Sequence, residues 1–342
     1  MPLSFLTVEN TENPVILPLS ATGSISESQL TGGRAPAQKT ELMTIPRHVL
    51  TLIMLLCIVA AASVSSAVPI AAEQHGPATS VEEGVVKLKK SNIEYFSQGT
   101  GTPIVLLPFG GLTVGYLEGI SQDLANAGYR VVRVNFRGAG KSTGSGEGVT
   151  LHTLADDVAG VIEALKLGPV VIAGHAFGNR VARTLAGDHP ELVSSVILFA
   201  AGGKVAPQPP AEKALQTIFN PASTDADLQS AMKFLVANPK EIPSVWPLIK
   251  ACRAPEAARI QRTAIRNTPL AEWWAPPGKS KYLVVQGAED QIAPPKNGEL
   301  LKQEMGDRVS LVLFPNAGHL LIITEADKAT ATVVSFLHGP PN

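Results

Sequence analysis

The residues with the clearest chemical grammar are Gly174-His175-Ala176-Phe177-Gly178, Asp290 and His319. An apolar run, Val170 to Ala173, precedes the pentapeptide and a helical pattern follows it. Strand, glycine-flanked turn and helix is the setting of a nucleophile elbow, G-x-S-x-G. The centre of that turn should hold a serine, and here it holds Ala176. A methyl group cannot form an acyl-enzyme. No spare nucleophile is visible either: His175 lies beside the turn, and Ser142 and Ser195 belong to other strands. Asp290 and His319 each follow an apolar strand-like run. A carboxylate at such a place accepts the Nδ1 proton of a histidine, fixing its tautomer and stabilising its cationic form. Taken singly, Asp290 is equally a turn former and His319 a capping or core histidine. Together, at matching strand ends, they read as an acid–base pair, with Glu289 as the alternative acid.

Something rigid must bring these residues together, and the pattern supplies it. Val85 to Leu88 and Ile93 to Phe96 alternate like paired edge strands. Pro103 to Leu107 is continuously apolar, as in a strand buried on both faces. A helix is predicted over Leu112 to Ala127, a strand over Tyr129 to Val134, a helix over Leu151 to Leu167 and a strand over Val193 to Phe199. Residues 204–279 are proline-rich, with helical but no strand-like periodicity. Alternation resumes with a strand at Tyr282 to Val285, a helix at Asn297 to Met305, a strand at Val309 to Phe314 and a helix at Glu325 to Phe336. Repeated β-α units interrupted once by an all-helical insert predict an α/β protein with a mostly parallel twisted sheet flanked by helices.

Here the chain resembles the α/β-hydrolase fold family, over roughly Val81 to His338. The motifs stand in that family's order. Leu107-Pro108-Phe109-Gly110-Gly111 resembles its oxyanion-hole loop, with Pro108 where a histidine is common. Asn135 to Ser142 resembles its R-G-x-G-x-S turn, Gly174 to Gly178 its elbow, and Asp290 and His319 its acid and base. The resemblance implies a core of 81–203 and 280–338, with 204–279 as a helical lid. It also implies an oxyanion hole from the amides of Phe177 and of Phe109 or Gly110, Phe109 being preferred. The insert carries Trp246, Trp273 and Trp274. Trp246 and Trp273 are the candidate substrate contacts, and an apolar lid implies an apolar or aromatic ligand. The plainer reading is that they bury the insert against the core. Arg259, Arg262 and Arg266 share a helical face and read as solvated.

The N-terminal region is expected to stand apart. Residues 1–42 are polar and read as a disordered extension, or as a mis-called start with Met43 as the true one. Residues 43–67 read as a signal peptide: Arg47 and His48, an apolar run from Val49 to Ala62, then Ser65-Ser66-Ala67. The run is short for a bilayer span of ~20 residues. Export to the periplasm or medium is therefore expected, with an uncleaved anchor as the alternative. Cleavage would remove Cys57 and leave Cys252 alone, so no internal disulfide is expected.

Composition narrows the rest. With 45% hydrophobic residues, 17% charged and a net charge of −1, the chain is globular and offers no electrostatic footprint for nucleic acid. The seven histidines are dispersed without metal-ligand spacing, so no metal and no cofactor are expected. Gly138 to Ser142 imitates the end of a phosphate loop, but the first glycine of that motif would fall on Asn135. The expected partner is a small molecule. Three functions fit. One is a hydrolase-family enzyme acting on a small ester- or amide-like compound through His319 and Asp290. The second is a lyase, isomerase or cofactor-free oxygenase using the same pair. The third is an exported binding protein without turnover. The sequence does not speak to oligomeric state.

Overall fold

The computed structural model describes residues 80–220 and 222–339. The expected export segment (43–67) and the extension before it (1–42) lie outside the described residues. Strands β1 (Glu82–Lys87) and β2 (Ser91–Gln98) form an antiparallel pair, and β2 is also antiparallel to β4 (Tyr129–Val134). Beyond β4 every neighbour runs parallel: β3 (Thr102–Leu107), β6 (Val170–His175), β7 (Val193–Phe199), β8 (Lys281–Gly287) and β9 (Val309–Phe314). The order across the sheet is β1-β2-β4-β3-β6-β7-β8-β9, and a short β5 (Thr143–Gly144) pairs with β2.

Parallel neighbours need crossover connections, which the helices supply. They are α1 (Glu118–Asn126), α2 (Leu151–Ala164), α3 (Phe177–Asp188), α4 (Pro209–Phe219), α5 (Asp225–Ala231), α6 (Ile242–Ala251), α7 (Pro255–Arg266), α8 (Leu270–Trp273), α9 (Lys296–Met305), α10 (Leu321–Thr324) and α11 (Ala326–His338). Alternate side chains divide the strands between two layers. Val171, Ala173, Ile197 and Phe199 pack with Leu124 of α1 and Val333 of α11. Val170, Ile172, Val196 and Leu198 pack with Val158 of α2 and Leu185 of α3. Both faces are thus covered, which is why β6 is buried along its whole length.

The helix predicted to begin at Leu112 begins later. Leu112 forms an isolated bridge to Arg253, and the Thr113 amide donates to the Cys252 carbonyl at 2.7 Å. Those pairings hold the chain extended until a short 3₁₀ turn (Val114–Leu117) leads into α1. Long-range pairing overrides the local helical pattern here.

The Asn135 to Ser142 turn is structural. Arg137 makes a two-pronged ion pair with Asp157, one prong at 2.9 Å, and donates to the Ser145 carbonyl at 3.1 Å. Ser91 Oγ also donates to Asp157, and Ser142 Oγ donates to the Asn135 carbonyl. Both charged side chains are almost fully buried. Removing one member of such a pair leaves an uncompensated buried charge, at a cost of about 3–5 kcal/mol. Asp157→Ala is therefore expected to lower Tm by roughly 10 °C in a scanning calorimetry comparison. A shift under 2 °C would show that the pair is not holding the turn.

Candidate active site

The strand-to-helix turn at the end of β6 is sharp. Ala176 has φ 51° and ψ −102°, a conformation costly for a residue with a Cβ, of order 1–3 kcal/mol. Its flanks must be glycine. A Cβ on Gly174 would lie 2.4 Å from the Gly178 backbone, and one on Gly178 would lie 2.5 Å from the Leu107 carbonyl. The turn is tied down by the Ala176 amide, which donates to the Phe199 carbonyl at 3.0 Å, and by Gly178, which donates to the Pro108 carbonyl at 3.1 Å. Ala176 is thereby presented at the carboxyl edge of the sheet, on the wall of a cavity of about 290 Å³.

His319 reaches the same cavity from the loop after β9. It is 1% exposed, and its Nδ1 donates to Asp290 Oδ2 at 2.9 Å. A carboxylate can only accept, so Nδ1 carries the proton and Nε2 presents a lone pair. That Nε2 is buried and has no hydrogen-bond partner among the described residues. Asp290 is held in turn. Its Oδ1 accepts from the amides of Ile292 (2.9 Å) and Ala293 (2.7 Å), and its Oδ2 accepts from Gln286 Nε2 at 3.3 Å. These donors fix the orientation of the carboxylate toward His319. Glu289, the alternative acid, is exposed and makes no such contact.

The loop after β3 needs a correction. The Phe109 amide, expected to be an oxyanion donor, is engaged: it donates to Tyr116 Oη at 2.6 Å. The Gly111 amide donates to Gln261 Oε1 at 2.7 Å. Gly110, between them, donates to no acceptor among the described residues, and a Cβ built on it would lie 3.3 Å from Phe177 Cβ. The Phe177 amide opens α3 and has no intrahelical carbonyl to bond. The amide pair facing the cavity is therefore Gly110 and Phe177. Phe109 contributes its ring, 5.2 Å from the His319 ring and edge-on to it.

Beneath the site runs a relay that the residue pattern did not reveal. His175 is 1% exposed, and its Nε2 donates to the His319 carbonyl at 2.9 Å. Its Nδ1 therefore accepts from Tyr116 Oη, 2.9 Å away, which itself accepts the Phe109 amide. Burial first, then the nearby His319, lower the His175 pKa to about 3, so it stays neutral. The loop after β3, the turn after β6 and His319 are thus tied into one hydrogen-bonded unit.

The tryptophans do not sit where the sequence placed them. Neither Trp246 nor Trp273 lines the cavity. Trp246 packs partly buried on the hydrophobic cluster that also holds Val245 and Ile249 of its own helix. Trp273 is 2% exposed, with the guanidinium groups of Arg180 and Arg183 each 4.6 Å from its ring. A large flat ring beside two cations gains more by stacking on them than by facing a void. Cavity lining from the insert comes instead from Val205 to Pro207 and from Leu215, Phe219, Ala258, Gln261, Arg262 and Ile265. Arg180 was legible in one respect: it lies four residues after Ala176, on the same helical face.

Among the described residues no three His, Cys, Asp or Glu side chains converge as metal ligands, and no helix is long and apolar enough to cross a membrane. A family model described as alpha/beta hydrolase fold matches residues 102–326. A Mycobacterium tuberculosis protein carrying a provisional non-heme bromoperoxidase name is 28% identical over 276 residues, covering 72% of this chain and 97% of its own. The 2-hydroxy-6-oxo-6-phenylhexa-2,4-dienoate hydrolase of Comamonas testosteroni is 27% identical over 266 residues, covering 72% and 91%. Among solved structures, the enol-lactonase of Burkholderia xenovorans superposes with a TM-score of 0.64 at 23% identity, over 75% of this chain and 100% of its own.

Proposed function

The chain belongs to the α/β-hydrolase fold family, and from that premise we propose that it binds a small, largely apolar carbonyl compound and acts on it by general-base chemistry at His319, without an acyl-enzyme. The observation that carries this reading is the partnerless, buried Nε2 of His319, backed by Asp290 and opening on the cavity. In this mechanism Nε2 takes a proton from a water standing where a serine Oγ would be. That water attacks the carbonyl of an ester or amide, and the developing oxyanion meets the Gly110 and Phe177 amides. As the tetrahedral species collapses, the C–O or C–N bond breaks and His319 Nε2 returns its proton to the departing alcohol or amine. The same base can instead remove an acidic proton from the ligand itself, as a lyase, isomerase or cofactor-free oxygenase would need. No cofactor is required by either route. We also place the protein outside the cytoplasm, on the grammar of residues 43–67.

His319→Gln tests the reading. General-base catalysis is worth roughly 10²–10⁴-fold, so hydrolysis of p-nitrophenyl acetate by the parent is expected to fall at least 100-fold in a variant with an unchanged circular dichroism spectrum. An unchanged rate would remove His319 from the chemistry. The second reading, a protein that holds its ligand without turnover, is favoured by Ala176 itself, because the nucleophile position carries only a methyl group.

A further inference from the structure

The cavity wall is rich in hydrogen-bond donors and holds cations without acids. Arg180, half-buried in the first turn of α3, lines the cavity and pairs with no carboxylate among the described residues. Its guanidinium is stacked on Trp273 at 4.6 Å. It also sits at the positive end of its own helix, where a cation is disfavoured. Burial lowers its pKa to about 10, a sign of how poorly solvent compensates it. Arg183, one turn further on, is fully buried. It is satisfied only by the carbonyls of Asn179, Trp274 and Gly202, so it adds positive charge rather than neutralising it. Across the cavity, Gln261 spends its Oε1 on the Gly111 amide and leaves its buried Nε2 without a partner. Arg262 stands beside it, its Nη1 donating to the Phe219 carbonyl at 3.3 Å. No Asp or Glu side chain lines this space.

Such a wall lacks an anion, and a planar carboxylate matches it. A guanidinium and a carboxamide N–H₂ both donate to carboxylate oxygens, and water exclusion strengthens those bonds. We propose that the ligand of this cavity carries a carboxylate, bound by Arg180 and Gln261, with its apolar body along Phe109 and Phe219. This rests on the reading of the cavity as a ligand site and names the class of molecule it takes. Arg180 lies one turn of α3 from Ala176, roughly 6 Å along the axis. The carboxylate is therefore a few bonds away from the group presented to His319, and a neutral analogue of the same shape binds at least tenfold more weakly.

The test uses 4-phenylbutanoate and its neutral isostere 4-phenylbutanamide, titrated into the protein by calorimetry and by tryptophan fluorescence, since Arg180 touches Trp273. The acid is expected to bind at least tenfold more tightly than the amide. Arg180→Met should abolish that preference, and Arg180→Lys should keep part of it. Equal affinities for acid and amide, no binding of either at millimolar concentration, or an undiminished preference in a folded Arg180→Met would each overturn the proposal. If Arg180→Met fails to fold, the parent's acid-to-amide ratio and the Arg180→Lys variant still decide. In His319→Gln the acid preference should persist. A variant that loses turnover but keeps the preference supports both readings, whereas one that keeps turnover sinks the general base and leaves the carboxylate site standing.

Discussion

Ala176→Ser is expected to turn the protein into an acyl-transfer esterase, with a burst of nitrophenolate from p-nitrophenyl butyrate and a turnover number at least ~10³-fold above the parent. The size of the effect follows from what is already in place. In a serine triad, removing the nucleophile costs about a million-fold, while the oxyanion hole and binding retain about 10³–10⁴ over water. Here the reverse step restores one oxygen to a backbone that is held in the elbow conformation, φ 51° and ψ −102°, and already bears a Cβ. Serine differs from alanine by that oxygen alone, so the turn needs no rebuilding. The His319 lone pair has no competing partner among the described residues, and Asp290 is pre-set by the Ile292 and Ala293 amides. The expected gain is set below the full million because Gly110, rather than a residue whose neighbours are all committed to the hole, supplies the second amide.

The control is Ala176→Ser combined with Asp290→Asn. Loss of the carboxylate should take away most of the gain, because the imidazole tautomer and its cationic form are no longer held. If the parent chain hydrolyses the ester without a burst, His319 acts directly on water as proposed, and a serine that adds less than threefold would show that its hydroxyl is not presented to His319. The elbow is then a support for the carbonyl pocket alone. If neither chain turns over while both bind, the cavity is a receptor.

Much of this was readable from residue order. The strands Tyr129–Val134, Val193–Phe199 and Val309–Phe314 coincide with the runs picked out by periodicity, because a strand that packs against helices is rich in β-branched and apolar residues even where, as in the edge strand Val309–Phe314, some side chains stay exposed. Asp290 and His319 come within hydrogen-bonding distance for a related reason: both follow strands, and strand ends on one edge of a parallel sheet converge. What escaped was everything set by approach between distant segments. The Phe109 amide is lost to Tyr116, seven residues on, only because a 3₁₀ turn swings that hydroxyl back under the loop. Gln261 meets Gly111 across 150 positions of sequence. Trp273 looks like a ligand contact by type and becomes a platform for Arg180 and Arg183 by geometry. His175 read as a bystander of the turn, whereas its two ring nitrogens connect the loop to the base.

Burial of that ring makes the stability of the fold depend on pH on the acid side. Folded His175 has its pKa lowered to about 3, against 6.5 for an exposed histidine. Above pH 6.5 the ring is neutral in both states and stability is unaffected by it. As pH falls below 6.5 the unfolded chain binds the proton and the folded one does not, so stability drops by ~1.4 kcal/mol per pH unit. The loss continues until about pH 3, where the folded ring is protonated too, and amounts to ~5 kcal/mol in all. Protonation is resisted first because the ring is buried, and then because His319 stands beside it. A doubly protonated ring would also leave Tyr116 Oη without the acceptor for its own proton. Urea unfolding at pH 7.5, 6.0, 5.0 and 4.5 measures the slope. Between pH 6.0 and 4.5 the parent is expected to lose about 2 kcal/mol more than His175→Gln, which keeps a donor and an acceptor but no titratable nitrogen. The variant should start lower at pH 7.5 and converge on the parent as the solution is acidified. Parallel curves for the two proteins would mean that the buried ring is not the group refusing the proton, and that its burial is not what costs the fold stability in acid.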